Sequence, residues 1–215
     1  MRCAIKFCGL TRPVDARTAA SLAVEYGGLI FAGGPRSLSD EQAQSVAGEL
    51  AAPLRRVGVM GRAAPRELAA RAERLGLNVI QLHADPAPND VASLREVWAG
   101  EIWAVVRDAL NVPPGDIMRL MDIADAVVLD SGACGTPGGT GVPFDWTKLS
   151  LPERRTGAGK LVLAGGLTAA NVAAAIRAVC PDVVDVSSGV ESSQGVKDHE
   201  KMRTFVTAVR SATGE

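Results

Sequence analysis

One pattern constrains this chain more than any single motif. Short β-branched runs alternate with alanine-rich helical stretches from one end to the other. CAIKFC precedes a helix expected from about Val14 to Tyr26, and GGLIFA precedes one near Ser39 to Leu50, with Ser39 as its N-cap. RRVGVM leads to a helix whose first turn holds Pro65, where a missing N–H costs nothing. NVIQLH leads to a helical stretch around Asn89 to Trp98, and IWAVVR to a short helix around Pro114 to Met121. ADAVVLD is the sixth run. LVLAGG is the seventh, its helix opening at Thr168. VVDVSS is the eighth, before a last helix from about Asp198 to Arg210.

Strands that alternate with helices pair in parallel, because each helix carries the chain back to the same edge. A doubly wound open sheet satisfies that pattern, but eight strand–helix units fit a closed (β/α)8 barrel, the TIM barrel of the α/β class, better. With 215 residues the chain is near the short end for such a barrel, so its loops must be brief. The sixth unit is the irregular one: GACGTPGGTGVPFDWTKLSLPERRTGAGK reads as loop, with at most a short helix near Asp145 to Leu149. No linker interrupts the composition, so a single domain over residues 1–215 is expected.

Composition removes several classes of function. At 47% hydrophobic and 22% charged, the chain is not of disordered type. A formal net charge of −1 supplies no attraction to nucleic acid or an anionic membrane, and 4% aromatic content offers few stacking surfaces for single strands. No run of 18 apolar residues and no signal-peptide pattern occurs, so a soluble cytoplasmic protein is expected. The four cysteines, Cys3, Cys8, Cys134 and Cys180, have no CxxC spacing, and with two distant histidines they suggest neither a zinc site nor a disulfide framework. Trp98, Trp103 and Trp146 read as core or seam residues.

A (β/α)8 fold places its site at the C-terminal ends of the strands. Cys8, Arg36, Gln81, His83, Arg107, Asp130, Gly165, Gly166 and Ser187 to Gly189 all fall there. AGGL (Ala164 to Leu167) and SSG (Ser187 to Gly189) follow strands seven and eight, the common phosphate position of the fold. Their glycines let backbone N–H groups approach an anion, so Gly165, Gly166, Ser188 and Gly189 are candidate phosphate residues. GGTG (Gly138 to Gly141), with Gly139, is a further glycine loop with the composition of a mobile lid. For the side chains, two readings stand open each time. Cys8 is an inert buried thiol or one with a function at the mouth of the first strand. Asp130 is a loop cap or ion-pair partner, or a carboxyl with a task at the barrel mouth, Arg36 a surface residue or a carboxylate fork, and His83 a base or a polar wall residue.

The motifs taken in order resemble one family. KFCGLT (Lys6 to Thr11) is similar to the KICGIT-type opening of phosphoribosylanthranilate isomerase, the tryptophan-pathway enzyme. The resemblance continues through GPRS (Gly34 to Ser37), QLH (Gln81 to His83), VLDSG (Val128 to Gly132), and GGTG followed by FDW (Phe144 to Trp146). It extends to AGGLTAANV (Ala164 to Val172), VDVSSGVE (Val184 to Glu191) and KDHEK (Lys197 to Lys201). Two departures are small: FAGGP before Arg36, where the family has a bulkier stretch with Ser before Pro, and alanine at position 84, where glycine is usual.

The resemblance implies Cys8 as general base, Asp130 as general acid and Arg36 as the anchor of the substrate's anthranilate carboxylate. It implies an Amadori rearrangement of a phosphosugar, which redistributes protons and needs no metal or redox cofactor. Period-two alternation puts Lys6 and Cys8 on one face of strand one. If that face is interior, Lys6 lowers the thiol pKa, and Asp185, on neighbouring strand eight, pairs with Lys6 or holds ribose hydroxyls. His83 and Gly139 are further candidate substrate contacts. The histidine-pathway isomerases share the chemistry but place aspartate where this chain has Cys8. Ribulose-phosphate epimerases need metal ligands, and indole-glycerol-phosphate synthase needs a catalytic lysine and a longer N-terminus. A non-catalytic phosphosugar-binding barrel would keep the glycine loops without needing Cys8 and Asp130 together. Monomer and homodimer are both compatible with the sequence.

Overall fold

A computed structural model of the chain describes residues 3–130, 146–149 and 158–214. Eight parallel strands close into a barrel in sequence order: β1 (Ala4–Phe7), β2 (Tyr26–Ile30), β3 (Arg55–Met60), β4 (Val79–Leu82), β5 (Glu101–Arg107), β6 (Ala126–Asp130), β7 (Lys160–Leu163) and β8 (Val183–Val186). Closure is made by β1 against β8, with Lys6 opposite Asp185 and Phe7 opposite Val186. Around it lie α1 (Pro13–Ser21), α2 (Asp40–Ala47), α3 (Pro65–Arg74), α4 (Pro88–Arg95), α5 (Pro114–Met121), α6 (Val172–Val179) and α7 (His199–Thr213). The expected barrel is therefore the observed one. A closed barrel has no edge strand, and every inward position must be filled by a side chain.

Alternation along each strand sorts the apolar residues into two cores. Inward positions, including Val57, Val79, Trp103, Val105, Val128 and Val162, fill the barrel. Outward positions such as Ile5, Phe7, Leu29, Ile80, Leu129 and Leu161 pack under the helices, where Phe205 of α7 meets Phe7 at 6.3 Å between ring centroids. Trp103 is fully buried, and its indole N–H donates to Glu101 at 2.9 Å. Glu101 also accepts from Arg55 and Lys160, and Lys160 donates to the Tyr26 hydroxyl, so polar groups close the N-terminal end of the barrel. That end is structural; the opposite mouth is left for chemistry.

Helix starts follow the local chemistry. α1, α3, α4 and α5 each carry proline in the first turn, at Pro13, Pro65, Pro88 and Pro114. Ser39 caps α2 in a reciprocal box with Gln42. Two expected boundaries move by four residues or more, and the ends of α2, α4 and α7 by three. α1 ends at Ser21, not Tyr26, because the chain turns at Ala23 (φ 52°) and Tyr26 is needed as the first residue of β2. α6 begins at Val172, not Thr168: Asn171 accepts the Thr168 N–H at 2.8 Å and donates to the Gly166 carbonyl at 2.9 Å, which holds a turn ahead of the helix. After β6, Trp146–Lys148 form one 3-10 turn; residues 131–145 and 150–157 of that unit lie outside the described residues. A two-stranded hairpin, β9 (Glu191–Ser193) with β10 (Val196–Lys197), stands between β8 and α7 and has no counterpart in the expected pattern.

Candidate active site

A cavity of about 350 Å³ opens at the C-terminal ends of the strands. It is lined by Cys8 after β1, Arg36 in the β2–α2 loop, Gln81 and His83 from β4, Arg107 and Asp130 at the ends of β5 and β6, Gly165 and Gly166 after β7, and Asp185, Ser188 and Gly189 from β8 and beyond. Every candidate among the described residues thus faces one space. Gly139, GGTG and Cys134 lie outside the described residues.

Lys6 points inward and is fully buried, its ammonium 2.6 Å from Asp185. Burial pulls the Lys6 ammonium down, but Asp185 and Cys8 outweigh it and hold it above the ordinary lysine value. The second Asp185 oxygen, Oδ1, is buried and has no partner among the described residues. Cys8 stands directly above Lys6. A Cβ built on Gly28 of β2 would come within 3.0 Å of Cys8 Sγ and 3.2 Å of Lys6 Cε, so both side chains use the space that this glycine leaves. Burial pushes the Cys8 thiol up, while Lys6 and Lys197 pull it down; the net direction is upward. The proximity of Lys6 to the thiol was legible in the alternation of β1. The net upward direction was not, since it depends on how completely the barrel excludes water.

Asp130 is the last residue of β6, opposite Arg107 of β5 in the register. Arg107 donates to Asp85, at 3.0 Å from Nε to Oδ2, so its guanidinium is held along the rim. Burial depresses the His83 imidazole, with Asp130 acting against that shift, and its Nδ1 is buried without a partner among the described residues. Gln81, at 3% exposure, likewise leaves Oε1 without a partner among the described residues. Three orphaned polar atoms, on Gln81, His83 and Asp185, therefore belong to residues lining the cavity. Buried polar atoms are rarely left so unless a ligand or water meets them.

Gly165 (φ 90°) and Gly166 (φ 65°) take left-handed backbone after β7, a conformation that favours glycine. The N–H groups of Gly165, Gly166 and Leu167 donate to no described residue. The next loop packs against this one backbone to backbone: a Cβ on Gly189 would lie 1.9 Å from the Leu167 carbonyl oxygen. The two glycine loops thus form one cradle, stiffened by Asn171 rather than by a helix starting at Thr168.

Arg36 is buried, and its Nε and Nη2 donate to the two oxygens of Glu191 at 2.8 and 2.7 Å. Lys197 donates to the same carboxylate at 2.9 Å and to the Ser187 carbonyl at 3.1 Å. Glu191 and Lys197 come from β9 and β10. Both residues lie within motifs of the sequence that give them no role, because a hairpin of this length has no periodic signal.

The closed barrel, its lined mouth cavity and these convergent ionisable side chains define a (β/α)8-barrel enzyme. A profile of the N-(5'phosphoribosyl)anthranilate (PRA) isomerase family matches residues 5–208. A curated relative, N-(5'-phosphoribosyl)anthranilate isomerase of Rubrobacter xylanophilus, is 39% identical over 209 residues, covering 96% of this chain and 98% of its own. The solved phosphoribosyl anthranilate isomerase of Thermotoga maritima superposes with a TM-score of 0.82 at 31% identity, covering 99% of this chain and all of that one. Another solved isomerase of this name, in complex with reduced 1-(o-carboxyphenylamino)-1-deoxyribulose 5-phosphate, superposes with a TM-score of 0.77 at 28% identity, covering 99% and 100% of the two chains. The chain belongs to the PRA isomerase family and is an isomerase. No described helix is long and apolar enough to cross a membrane.

Proposed function

We propose that this protein converts N-(5-phosphoribosyl)anthranilate to 1-(2-carboxyphenylamino)-1-deoxyribulose 5-phosphate in tryptophan biosynthesis, with Cys8 as general base and Asp130 as general acid. One observation carries the assignment: a thiol following β1 and a carboxyl at the end of β6 line the same cavity as the two-loop glycine cradle, in a chain of this family.

The protonated Asp130 carboxyl donates to the furanose ring oxygen as the bond from C1′ to that oxygen breaks. The anthranilate nitrogen then shares a double bond with C1′ as a protonated Schiff base, which makes the C2′ proton acidic. The Cys8 thiolate removes that proton, and the electron pair moves toward nitrogen to give an enolamine. A proton gained at C1′ and one lost from the C2′ hydroxyl complete the ketose. Lys6 and Lys197 favour the thiolate against the opposing effect of burial. Each proton transfer of this kind contributes about 10²–10⁴-fold.

The phosphate is read onto Gly165, Gly166, Ser188 and Gly189, whose loops lie together and include N–H groups with no described partner at Gly165 and Gly166. Arg36 is the carboxylate anchor: its Nη1 edge makes no bond to a described residue. The orphaned atoms of Asp185 and His83 suit the sugar hydroxyls. Freshly made phosphoribosylanthranilate is fluorescent and loses that fluorescence on turnover, which gives the test. Wild type should consume it, and Cys8→Ala or Asp130→Asn should each lower kcat by about 10²-fold or more with the fold intact. Near-normal kcat in either variant removes that residue from the mechanism, and no turnover by wild type removes the activity.

A further inference from the structure

Arg36 does not face the cavity as a free cation. Both oxygens of Glu191 are bound along its Nε–Nη2 edge, and a guanidinium paired one-to-one with a carboxylate carries no net charge with which to attract a second one. A second cation behind the pair changes that balance. The Lys197 side chain is fully buried, Glu191 is 5% exposed, and the ammonium donates to Glu191 Oε1 at 2.9 Å. Arg36 lines the cavity; Glu191 and Lys197 do not.

We infer that Lys197 is a specificity-determining residue: it offsets Glu191, so that the Arg36–Glu191–Lys197 cluster presents one net positive charge to the carboxylate of the substrate. The inference rests on Arg36 as the carboxylate anchor. Glu191 orients the guanidinium through two parallel hydrogen bonds and leaves the Nη1 edge to the ligand. Lys197 restores the charge that this orientation would otherwise cancel, and it does so without touching substrate.

The rest of the hairpin is built to keep that ammonium in place. The Lys197 N–H donates to Asp15 Oδ2 at 3.2 Å, and Arg12 donates to the Lys197 carbonyl at 3.1 Å. His199 meets the other Asp15 oxygen at 2.9 Å, and Thr11 donates to the Gly195 carbonyl. The start of α1 and the hairpin are thereby tied together. The nearby Lys6–Asp185 pair is neutral as a unit and leaves the balance unchanged. A buried lysine with one acidic partner that is itself doubly held by an arginine is costly to keep charged. Its place here is accounted for by the ligand's second anion.

The test compares substrate with an analogue lacking the carboxylate, in wild type and four variants. Lys197→Met leaves the cluster neutral and should reduce the preference in KM for the carboxylated substrate about tenfold. Adding Glu191→Gln to Lys197→Met returns the cluster to one net positive charge and should restore part of that preference, a rescue that a merely structural lysine would not give. Should Lys197→Met not fold, Glu191→Gln alone against the double variant reads the same charge step, and the single variant should prefer the carboxylate more. Unchanged preference in Lys197→Met, or no gain in the double variant, overturns the inference. Arg36→Met is the control. If it too leaves the preference intact, the anchor reading fails first; if it abolishes the preference while Lys197→Met does not, only the role of Lys197 fails.

Discussion

Lys6→Met tests the electrostatics beneath the site. Methionine fills a similar volume, so little cavity is created, but Asp185 loses its hydrogen-bonded ion-pair partner at 2.6 Å while 7% exposed. Breaking one side of a buried pair costs about 3–5 kcal/mol. Asp185 can escape that cost by taking up a proton. From an unfolded pKa of about 3.9, protonation at pH 7 costs about 4 kcal/mol, at 1.36 kcal/mol per unit, which caps the penalty. At pH 5 the same protonation costs about 1.5 kcal/mol. Burial already raises the Asp185 carboxyl and Lys6 opposes it, so removing Lys6 raises it further. A carboxyl whose folded pKa lies above its unfolded value stabilises the fold below the unfolded pKa and loses that contribution as pH rises towards the folded pKa. The penalty relative to wild type therefore grows with pH, by up to about 1.4 kcal/mol per unit. Urea denaturation of both proteins at pH 5 and pH 7 measures it: a loss of about 3–4 kcal/mol at pH 7 is expected, and roughly half that or less at pH 5. Lys6→Met with Asp185→Asn should recover much of the loss at pH 7. A penalty under about 1 kcal/mol at pH 7, or one equal at both pH values, would refute the buried ion pair as a stabilising unit.

Three further outcomes are expected. Gly189→Ala puts a Cβ 1.9 Å from the Leu167 carbonyl oxygen, where a normal C···O contact needs about 3.3 Å, so the two glycine loops must part; KM for substrate and the inhibition constant for inorganic phosphate should each rise at least about tenfold, because placement errors near 1 Å cost up to about 10²-fold, and unchanged values would separate these loops from the phosphate. The Cys8 thiol is pushed up by burial and by Asp185 and pulled down by Lys6 and Lys197. The thiolate fraction should accordingly still be rising above pH 8, and kcat/KM and the alkylation of Cys8 by iodoacetamide, followed by mass spectrometry, should rise with it; a plateau in both from pH 7 would show a lower thiol pKa than burial dictates. Arg36→Lys keeps a cation but loses the fork, so substrate should bind more weakly than to wild type, and to Arg36→Met more weakly still, by about 2 kcal/mol in dissociation constants from equilibrium titration; equal binding by all three would deny Arg36 the carboxylate.

Local information reaches a definite distance in this chain. Strand runs, proline-led helix starts at Pro65 and Pro114 and the Ser39 cap are written in neighbouring residues, because period-two burial and capping act over one to four positions. Eight such units leave few ways to bury their apolar faces, so the barrel and its active end were legible, and Cys8, Arg36, Asp130 and the glycine loops were placed at that end by their position after strands. The Lys6–Asp185 contact, one of two roles the sequence leaves open for Asp185, follows from β1 and β8 lying side by side in the closed barrel. Tertiary structure decided what depends on distant parts meeting. The turn that delays α6 to Val172 is held by Asn171 reaching back to Gly166. The net direction of the Cys8 thiol is set by how completely eight strands exclude water around it. The Arg36–Glu191–Lys197 cluster joins residues 155 positions apart, from Arg36 to Glu191, through a hairpin too short for any periodicity to announce. Sequence determines where a side chain leaves the backbone; charge balance and desolvation are sums over neighbours in space, and only the closed barrel supplies those neighbours.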